Sequence, residues 1–429
     1  MTNIAIIGGG QAGLQLGIGL KKSMAGFGVS IYTNRDADEI AKGKIMSSQG
    51  MFENALKFER ELGINFWDNI SPNDKSVTFN LLDPKRSTVG LSWQGLTSHF
   101  FRSIDQRIKF PRWMQEFQNL GGELFIQEVN ANSLSEIAKK HDLTIISGGK
   151  ADISQLFSRD NTRSIFNQPQ RKLACLYVHG VMPSAYPGVR SNVIPGVGEF
   201  CRISGLTHSG DCEMFLFEGL PGGPFDCWDN KDAPEAQLQQ ALRLLKQFVP
   251  NEYELCYQSE LTDGNAVLCG GYTPTVKLPT FRLADGTPIL GMGDAVVLND
   301  PIAGQGANNA SKNAAFFLKR IIENKKGSFT EEWMKESFEL YWNQNAKWST
   351  QWTDLLLLPP PPHIIQLMTV AATSPKIASF LANAFNDPAG LFPWIESPEE
   401  TQKFIESSAN LDMPVRNNVF NFQPTIARM

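Results

Sequence analysis

A glycine-rich turn set between an apolar strand and a helix constrains this chain more than any other feature. Residues 3–7 (Asn-Ile-Ala-Ile-Ile) read as a short strand, and Gly8-x-Gly10-x-x-Gly13 follows at once. Leu14, Leu16, Ile18 and Leu20 come next, with Gly17 and Gly19 permitting close approach to a sheet. Residues 29–33 (Val-Ser-Ile-Tyr-Thr) alternate as a second strand. In such a β-α-β unit the first glycine allows the tight turn. The second lets the backbone reach a pyrophosphate, and the third lets helix pack on strand. The phosphate then rests at a helix N-terminus, where unpaired N–H groups and the dipole favour an anion. Gly8, Gly10, Gln11, Ala12 and Gly13 are therefore expected to bind a dinucleotide rather than form a plain turn.

The acidic residue that ordinarily ends the second strand and holds a ribose hydroxyl is missing. The segment reads Tyr32-Thr33-Asn34-Arg35. Thr33 and Asn34 can bond a hydroxyl, but without charge, and a charge-assisted bond is about twice as strong. A loosely held, exchangeable cofactor is expected, with Arg35 beside it. Asp36 or Asp38 supplying the carboxylate from a shifted position is the alternative.

A second fingerprint lies far along the chain. Gly291-Met292-Gly293-Asp294 reads as a strand end whose carboxylate can accept from a ribose or ribitol hydroxyl. Then comes Asn299-Asp300-Pro301-Ile302-Ala303-Gly304-Gln305-Gly306-Ala307-Asn308, a loop opening a helix over 306–323. Its N–H groups would face the pyrimidine edge of a flavin, where the reduced ring carries negative charge. Gly293, Asp294, Pro301, Gly304, Gln305, Gly306, Ala307 and Asn308 thus join the expected FAD set, with Pro301 and Gly304 at the reacting ring.

Between the fingerprints, residues 46–66 read as helix, 77–94 as strands, 105–120 as helix and 143–147 as a buried strand. Residues 172–225 read as an antiparallel layer and 233–248 as a helix; from 331 onward the chain is mostly helical. The expected class is α/β. A discontinuous Rossmann-like FAD-binding domain takes 1–45, 100–165 and 270–325, and a β-rich substrate domain takes 46–99 and 166–269. A helical C-terminal region takes 326–429.

Composition excludes other classes. Lys and Arg number 39 against 44 Asp and Glu, a net charge of −5, with no long basic run, which argues against nucleic acid. The 6 cysteines form no C-x-x-C pair and the 5 histidines are scattered, so reduced thiols and no metal are expected. No run approaches the roughly 18 apolar residues of a membrane span. Met1-Thr2-Asn3-Ile4 enters a strand with no charged leader, so a cytoplasmic protein without a membrane partner is expected.

The paired fingerprints are those of the aromatic hydroxylase fold. Single-component members carry an Asp-Gly segment after the third buried strand for contact with NAD(P)H; here that place reads Gly148-Gly149-Lys150-Ala151-Asp152. More specifically, the chain resembles the oxygenase component of two-component styrene and indole monooxygenases. The resemblance rests on Ile7–Gly17, Ile31–Arg35, Arg102-x-x-Asp105-x-Arg107 and Leu268-x-Gly270-Gly271-x-x-Pro274. It continues through Gly293–Asp294, Asp300–Asn308, Trp352-Thr353-Asp354, Phe385-Asn386-x-Pro388 and Ser397-Pro398-Glu399. It implies an oxygenase fed with reduced FAD by a separate NADH-dependent flavin reductase. Oxygen would pass to a C=C bond of a small aromatic substrate through a flavin C4a-hydroperoxide formed with O2. The oligomeric state is left open, and a homodimer is compatible with it.

Styrene-type members carry Asn-Thr-Val just after the second strand, where this chain has Ser47-Ser48-Gln49. That resembles the indole branch. Gln49 can hydrogen-bond an indole N–H, so Ser47, Ser48 and Gln49 are expected to line the catalytic pocket; solvent-facing helix starters are the bland alternative. Styrene epoxidation is the alternative activity, and a single-component NAD(P)H hydroxylase a further one. A halogenase would need a Trp-x-Trp pair, which is absent. A non-enzymatic FAD-fold escort would show no oxygen reactivity. Lys44 faces either FAD phosphates or solvent. Arg102 contacts FAD or pairs with Asp105 across one helix face.

Overall fold

The computed structural model describes residues 1–85, 87–148, 152–184 and 187–410. The Asn3–Ile7 strand is buried from Ile4 onward because it is central to a six-stranded sheet. Gly28–Thr33 lies parallel on one side and Leu143–Ile146 on the other. Glu123–Ile126 extends the sheet beyond Gly28–Thr33. Pro288–Gly291 joins Leu143–Ile146 in parallel, and Thr280–Arg282 closes that edge antiparallel. Buried on both faces, the central strands read as continuous apolar runs rather than as an alternation.

The Gln11–Lys22 helix packs on this sheet with Gln11 through Leu20 all buried. Gly17 is required there, since a Cβ would sit 2.6 Å from Ile31 Cδ1. The Gly306–Glu323 helix flanks it, and Leu14, Leu16, Ile18, Ala314 and Phe317 share one core with Trp113 and Phe117 of the Gln106–Asn119 helix.

A nine-stranded sheet forms the second layer. Lys172–His179, Gly210–Gly219, Gly198–Thr207 and Val189–Ile194 run antiparallel in that spatial order. Asp74–Asp83 pairs parallel with Val189–Ile194 and antiparallel with the long Thr88–Ser103 strand. Strand alternation divides the faces. Phe200, Phe215 and Phe217 pack on the Pro234–Phe248 helix. Cys175, Tyr177, Met214 and Leu216 face the other way, toward Ile45 and Ala266. The helices Pro362–Ala371 and Pro375–Asn383 cover Val77 and Trp93 of the same sheet. No single helix among the described residues is long and apolar enough to cross a membrane.

Two expectations are corrected. Residues 46–66 are not one helix: 46–49 are irregular, Gly50–Met51 is a strand on Thr88–Ser103, and only Glu53–Glu61 is helical. Strand pairing outbids helix propensity there, because Gly50 and Met51 have free backbone partners at Ser103 and Arg102. Arg102 and Asp105 do not pair on a helix. Arg102 ends a strand and bridges to Asp68 at 3.5 Å, while Asp105 caps the Gln106 helix and pairs with Arg107 at 2.8 Å.

Candidate cofactor and substrate site

The glycine turn has the geometry of a cradle. Gly8 adopts φ +127°, open to glycine alone, and a Cβ there would lie 2.7 Å from Ser147 Oγ. At Gly13 a Cβ would lie 2.0 Å from the Gly8 carbonyl oxygen, so this glycine holds turn and helix together. At Gly10 an added Cβ would meet nothing within 4 Å. The Gln11 helix has no side-chain cap and no acidic residue in its first turn, which leaves N–H groups for an anion. Thr33 borders the turn, its Oγ1 2.9 Å from where a Gly9 Cβ would stand. Asn34 and Arg35 are exposed beside it. Asp36 is spent on a capping box with Glu39, and Asp38 pairs with Lys42 at 3.1 Å. The shifted-carboxylate alternative therefore finds both candidates engaged.

The late fingerprint meets the early one. Parallel pairing across Leu143–Ile146 brings the ends of Asn3–Ile7 and Pro288–Gly291 to one edge. A Cβ on Gly293, at φ +59°, would stand 3.3 Å from Ala12 Cβ. Asp294 is exposed at this junction. Asp300 Oδ1 accepts from Ile302 N at 3.1 Å, and Gly304 closes the turn in the left-handed region. The Gly306 helix again lacks a side-chain cap and first-turn acid, and space at Gly306 is open. The side chains of Gln305 and Asn308 are engaged within the protein. Gln305 Nε2 donates to Ala303 O and Phe385 O, both at 2.9 Å. Asn308 accepts from Phe52 N at 2.8 Å and donates to Gly50 O and Gly304 O at 2.9 and 2.7 Å. Both side chains brace the loop.

Ser47–Gln49 sits between the two layers. Tyr177 Oη donates to Ser47 O at 2.6 Å, and Ser103 Oγ donates to Ser48 O. Gln49 Nε2 donates to Gln11 Oε1 at 3.0 Å. Gln49 is 2% exposed with φ +42°, a strained backbone for a side-chain-bearing residue, and its Oε1 has no partner among the described residues. Solvent-facing helix starters are thus excluded. Tyr177 and Ser103 were invisible as site residues in the sequence, because alternation places Tyr177 on a strand face without saying what that face meets.

Behind the Pro301–Gly306 loop lie buried carboxyls. Arg171 forms a two-pronged bridge to Glu199, at 2.6 and 2.9 Å. Among the described residues Glu218 has no hydrogen-bond partner on either oxygen, and Asp300 none on Oδ2. Burial pushes Asp300 up to about 7. Burial first, then the neighbouring Asp300 and Glu199 charges, holds Glu218 well above the usual carboxylate range. The two oppose each other's ionisation.

Two further expected cofactor residues have surroundings of other kinds. Lys44 is exposed, and its charge acts on the Cys269 thiol of the second layer. Arg102 is engaged with Pro72 O at 2.5 Å and Asp68 O at 3.0 Å. Residues 149–151, where a second nucleotide contact was sought, lie outside the described residues. All 6 cysteines are free, and the described residues hold no His, Cys, Asp and Glu cluster fit for a metal.

Residues 149–254, which hold four of the nine strands of the second layer, match the family model described as "Styrene monooxygenase A putative substrate binding domain". Styrene monooxygenase StyA of Pseudomonas fluorescens is 25% identical over 95% of this chain and 98% of its own length. The same enzyme of a second Pseudomonas species is 26% identical over 95% and 98%. The chain is styrene-monooxygenase-like. Among solved structures, a flavoprotein/dehydrogenase of Cytophaga hutchinsonii superposes with TM-score 0.68 at 12% identity, covering 94% of this chain and 99% of its own. A p-nitrophenol 4-monooxygenase of Pseudomonas putida superposes with TM-score 0.57 at 13% identity, covering 93% and 98%. A flavin-dependent brominase gives 0.61 at 13%, covering 94% and 93%. The fold of this styrene-monooxygenase-like chain is therefore the aromatic hydroxylase fold. These likenesses point to FAD as the cofactor. The residues fit it, with open space at Gly10 and Gly306 and two uncapped helix N-termini free of first-turn acids.

Proposed function

We propose that this chain is the oxygenase half of a two-component system that takes reduced FAD from an NADH-dependent flavin reductase and uses O2 to epoxidise the 2,3-double bond of indole. The Gly8–Gly13 turn would hold the pyrophosphate, Thr33, Asn34 and Asp294 the sugar and ribityl hydroxyls, and the Pro301–Gly306 loop the ring. Bound reduced FAD supplies the two electrons and the site at which O2 is activated. The chain's own residues bind, orient and keep water out. Backbone N–H groups at Gly306 and Ala307 favour an anionic ring. Tyr177 and Ser103 hold Ser47 and Ser48 over the sheet face. The discontinuous division drawn above gives the first layer to FAD and the second to the substrate.

One observation carries the indole reading: Gln49, pinned between the layers, keeps a buried oxygen without a partner. An indole N–H satisfies it, and styrene has no such donor. Styrene epoxidation is the second reading, favoured by the chain-wide likeness to styrene monooxygenases.

The test mixes the protein with indole, O2, catalase and FAD kept reduced by an unrelated NADH:flavin reductase, and follows blue indigo. Indigo that needs both the chain and reduced FAD is the expected result. Epoxide from styrene without indigo keeps the chemistry and removes the indole assignment. Turnover with NADPH and no reductase removes the two-component assignment.

A further inference from the structure

A buried ion pair stands behind Gln49. Lys109 is 1% exposed, and its Nζ lies 2.5 Å from Glu59 Oε1, 3.2 Å from Met51 Sδ and 4.7 Å from the centre of the Trp113 ring. Glu59 is equally buried. The same Glu59 oxygen accepts from Gln11 Nε2 at 2.9 Å. Gln11 Nε2 also donates to Gln15 Oε1 at 2.9 Å, and Gln15 Nε2 donates to the Ser311 carbonyl at 3.1 Å.

These bonds have only one consistent direction. A carboxylate beside an ammonium and a backbone carbonyl both accept and do not donate. Gln15 must therefore turn its NH2 to Ser311 and its oxygen to Gln11. Gln11 must turn its NH2 to Glu59 and Gln15, which leaves its oxygen for Gln49. Gln49 must then spend its NH2 on Gln11, and its own oxygen is left over. Side-chain amides reverse easily when neighbours allow it; here each reversal would set two NH2 groups or two oxygens against each other.

We propose that the Lys109–Glu59 pair is a positioning device. Acting through Gln11, together with the Ser311 carbonyl acting through Gln15, it fixes the Gln49 amide so that a carbonyl oxygen, and not an NH2, meets the substrate, and the site therefore selects an aromatic that donates a ring N–H. The inference rests on Gln49 lining the substrate pocket, as read above. It also explains why a charged pair is kept where well-packed apolar side chains of similar size would often be as stable.

The test compares indole with 1-benzofuran, an isostere whose ring oxygen accepts and does not donate. Dissociation constants for both are measured on the FAD-loaded protein, alongside epoxidation rates with reduced FAD. The triple variant Glu59→Leu, Lys109→Met and Gln15→Leu leaves Gln11 no acceptor on that side, so its amide and that of Gln49 are free to reverse. The indole-to-benzofuran preference is expected to fall by roughly tenfold, the scale of one buried unpaired polar group. Glu59→Asp keeps an acceptor-only group and is expected to retain the preference. General damage would weaken both ligands alike and leave the ratio unmoved. Should the triple variant fail to fold, Gln11→Leu removes the link to Gln49 outright and carries the same expectation. Gln49→Leu separates the two levels. If it leaves the preference intact, the reading of Gln49 fails and the inference with it. If it abolishes the preference while the triple variant does not, Gln49 is the contact and the positioning role is overturned.

Discussion

At the scale of single residues, the three fingerprint glycines have separable jobs. A Gly10→Ala side chain enters open space on a φ of −97°, so the fold should be unaffected, while the methyl occupies the place a pyrophosphate would approach. Gly13→Ala drives a Cβ to 2.0 Å from the Gly8 oxygen and must push the helix off its turn. Overpacking of this kind costs about 1–3 kcal/mol. Urea unfolding should therefore move for Gly13→Ala and stay put for Gly10→Ala, and FAD titration followed by tryptophan fluorescence should weaken for both. A Gly10→Ala protein that binds FAD normally would remove the pyrophosphate from that turn. These glycines were legible in the sequence because their work is local. The free oxygen of Gln49 was not, since its orientation is set by Gln11, Gln15, Glu59, Lys109 and Ser311, which are near one another only after folding. Gln305 and Asn308 show the reverse, where a motif led to the right loop but their side chains brace it.

At the scale of elements, the strong periodicities held and the weak one did not. The Gly306–Glu323 helix begins where its glycine and ends where its glutamate were expected. Residues 46–66 carried helical spacing but also Gly50, and a strand partner at Ser103 decided the outcome. The Lys347–Leu357 helix holds Asp354, whose carboxyl burial pushes up to about 7. In an unfolded chain it would titrate near about 4. The folded state thus binds this proton more tightly, and the resulting stability is present below about pH 4 and lost as pH rises through about 7. Asp354→Asn should match the parent near pH 4 and melt higher than it at pH 8, by roughly a few degrees. Equal melting temperatures at pH 8 would show that the carboxylate is not strained.

At the scale of the whole molecule, the Pro301–Gly306 loop is tied to the C-terminal region as well as to the second sheet. Gln305 is fully buried and bonds Phe385 O, and Asn54 N donates to Asn386 Oδ1 at 2.8 Å. Gln305→Leu keeps the bulk and strands two carbonyl acceptors, at about 1–3 kcal/mol. The expected outcome is lower urea stability, together with more hydrogen peroxide released per reduced FAD consumed, because a slackened loop admits water. Unchanged peroxide yield with lowered stability would confine Gln305 to folding. The two-layer plan was readable from the order of motifs. The contact of Ser47 with Tyr177, which joins the layers, was not, because it spans 130 positions of sequence.

The meeting of Ala12 with Gly293 also has a meaning in time. The two halves of the cradle are made far apart during synthesis, and at about 5–20 residues per second the second follows the first by tens of seconds. Until the end of that interval the Leu143–Ile146 strand lacks its Pro288–Gly291 neighbour and the glycine turn lacks the Gly293 side of its cradle. A nascent chain of this kind gains its capacity for FAD late and all at once, and it must shelter one open edge of its sheet until then.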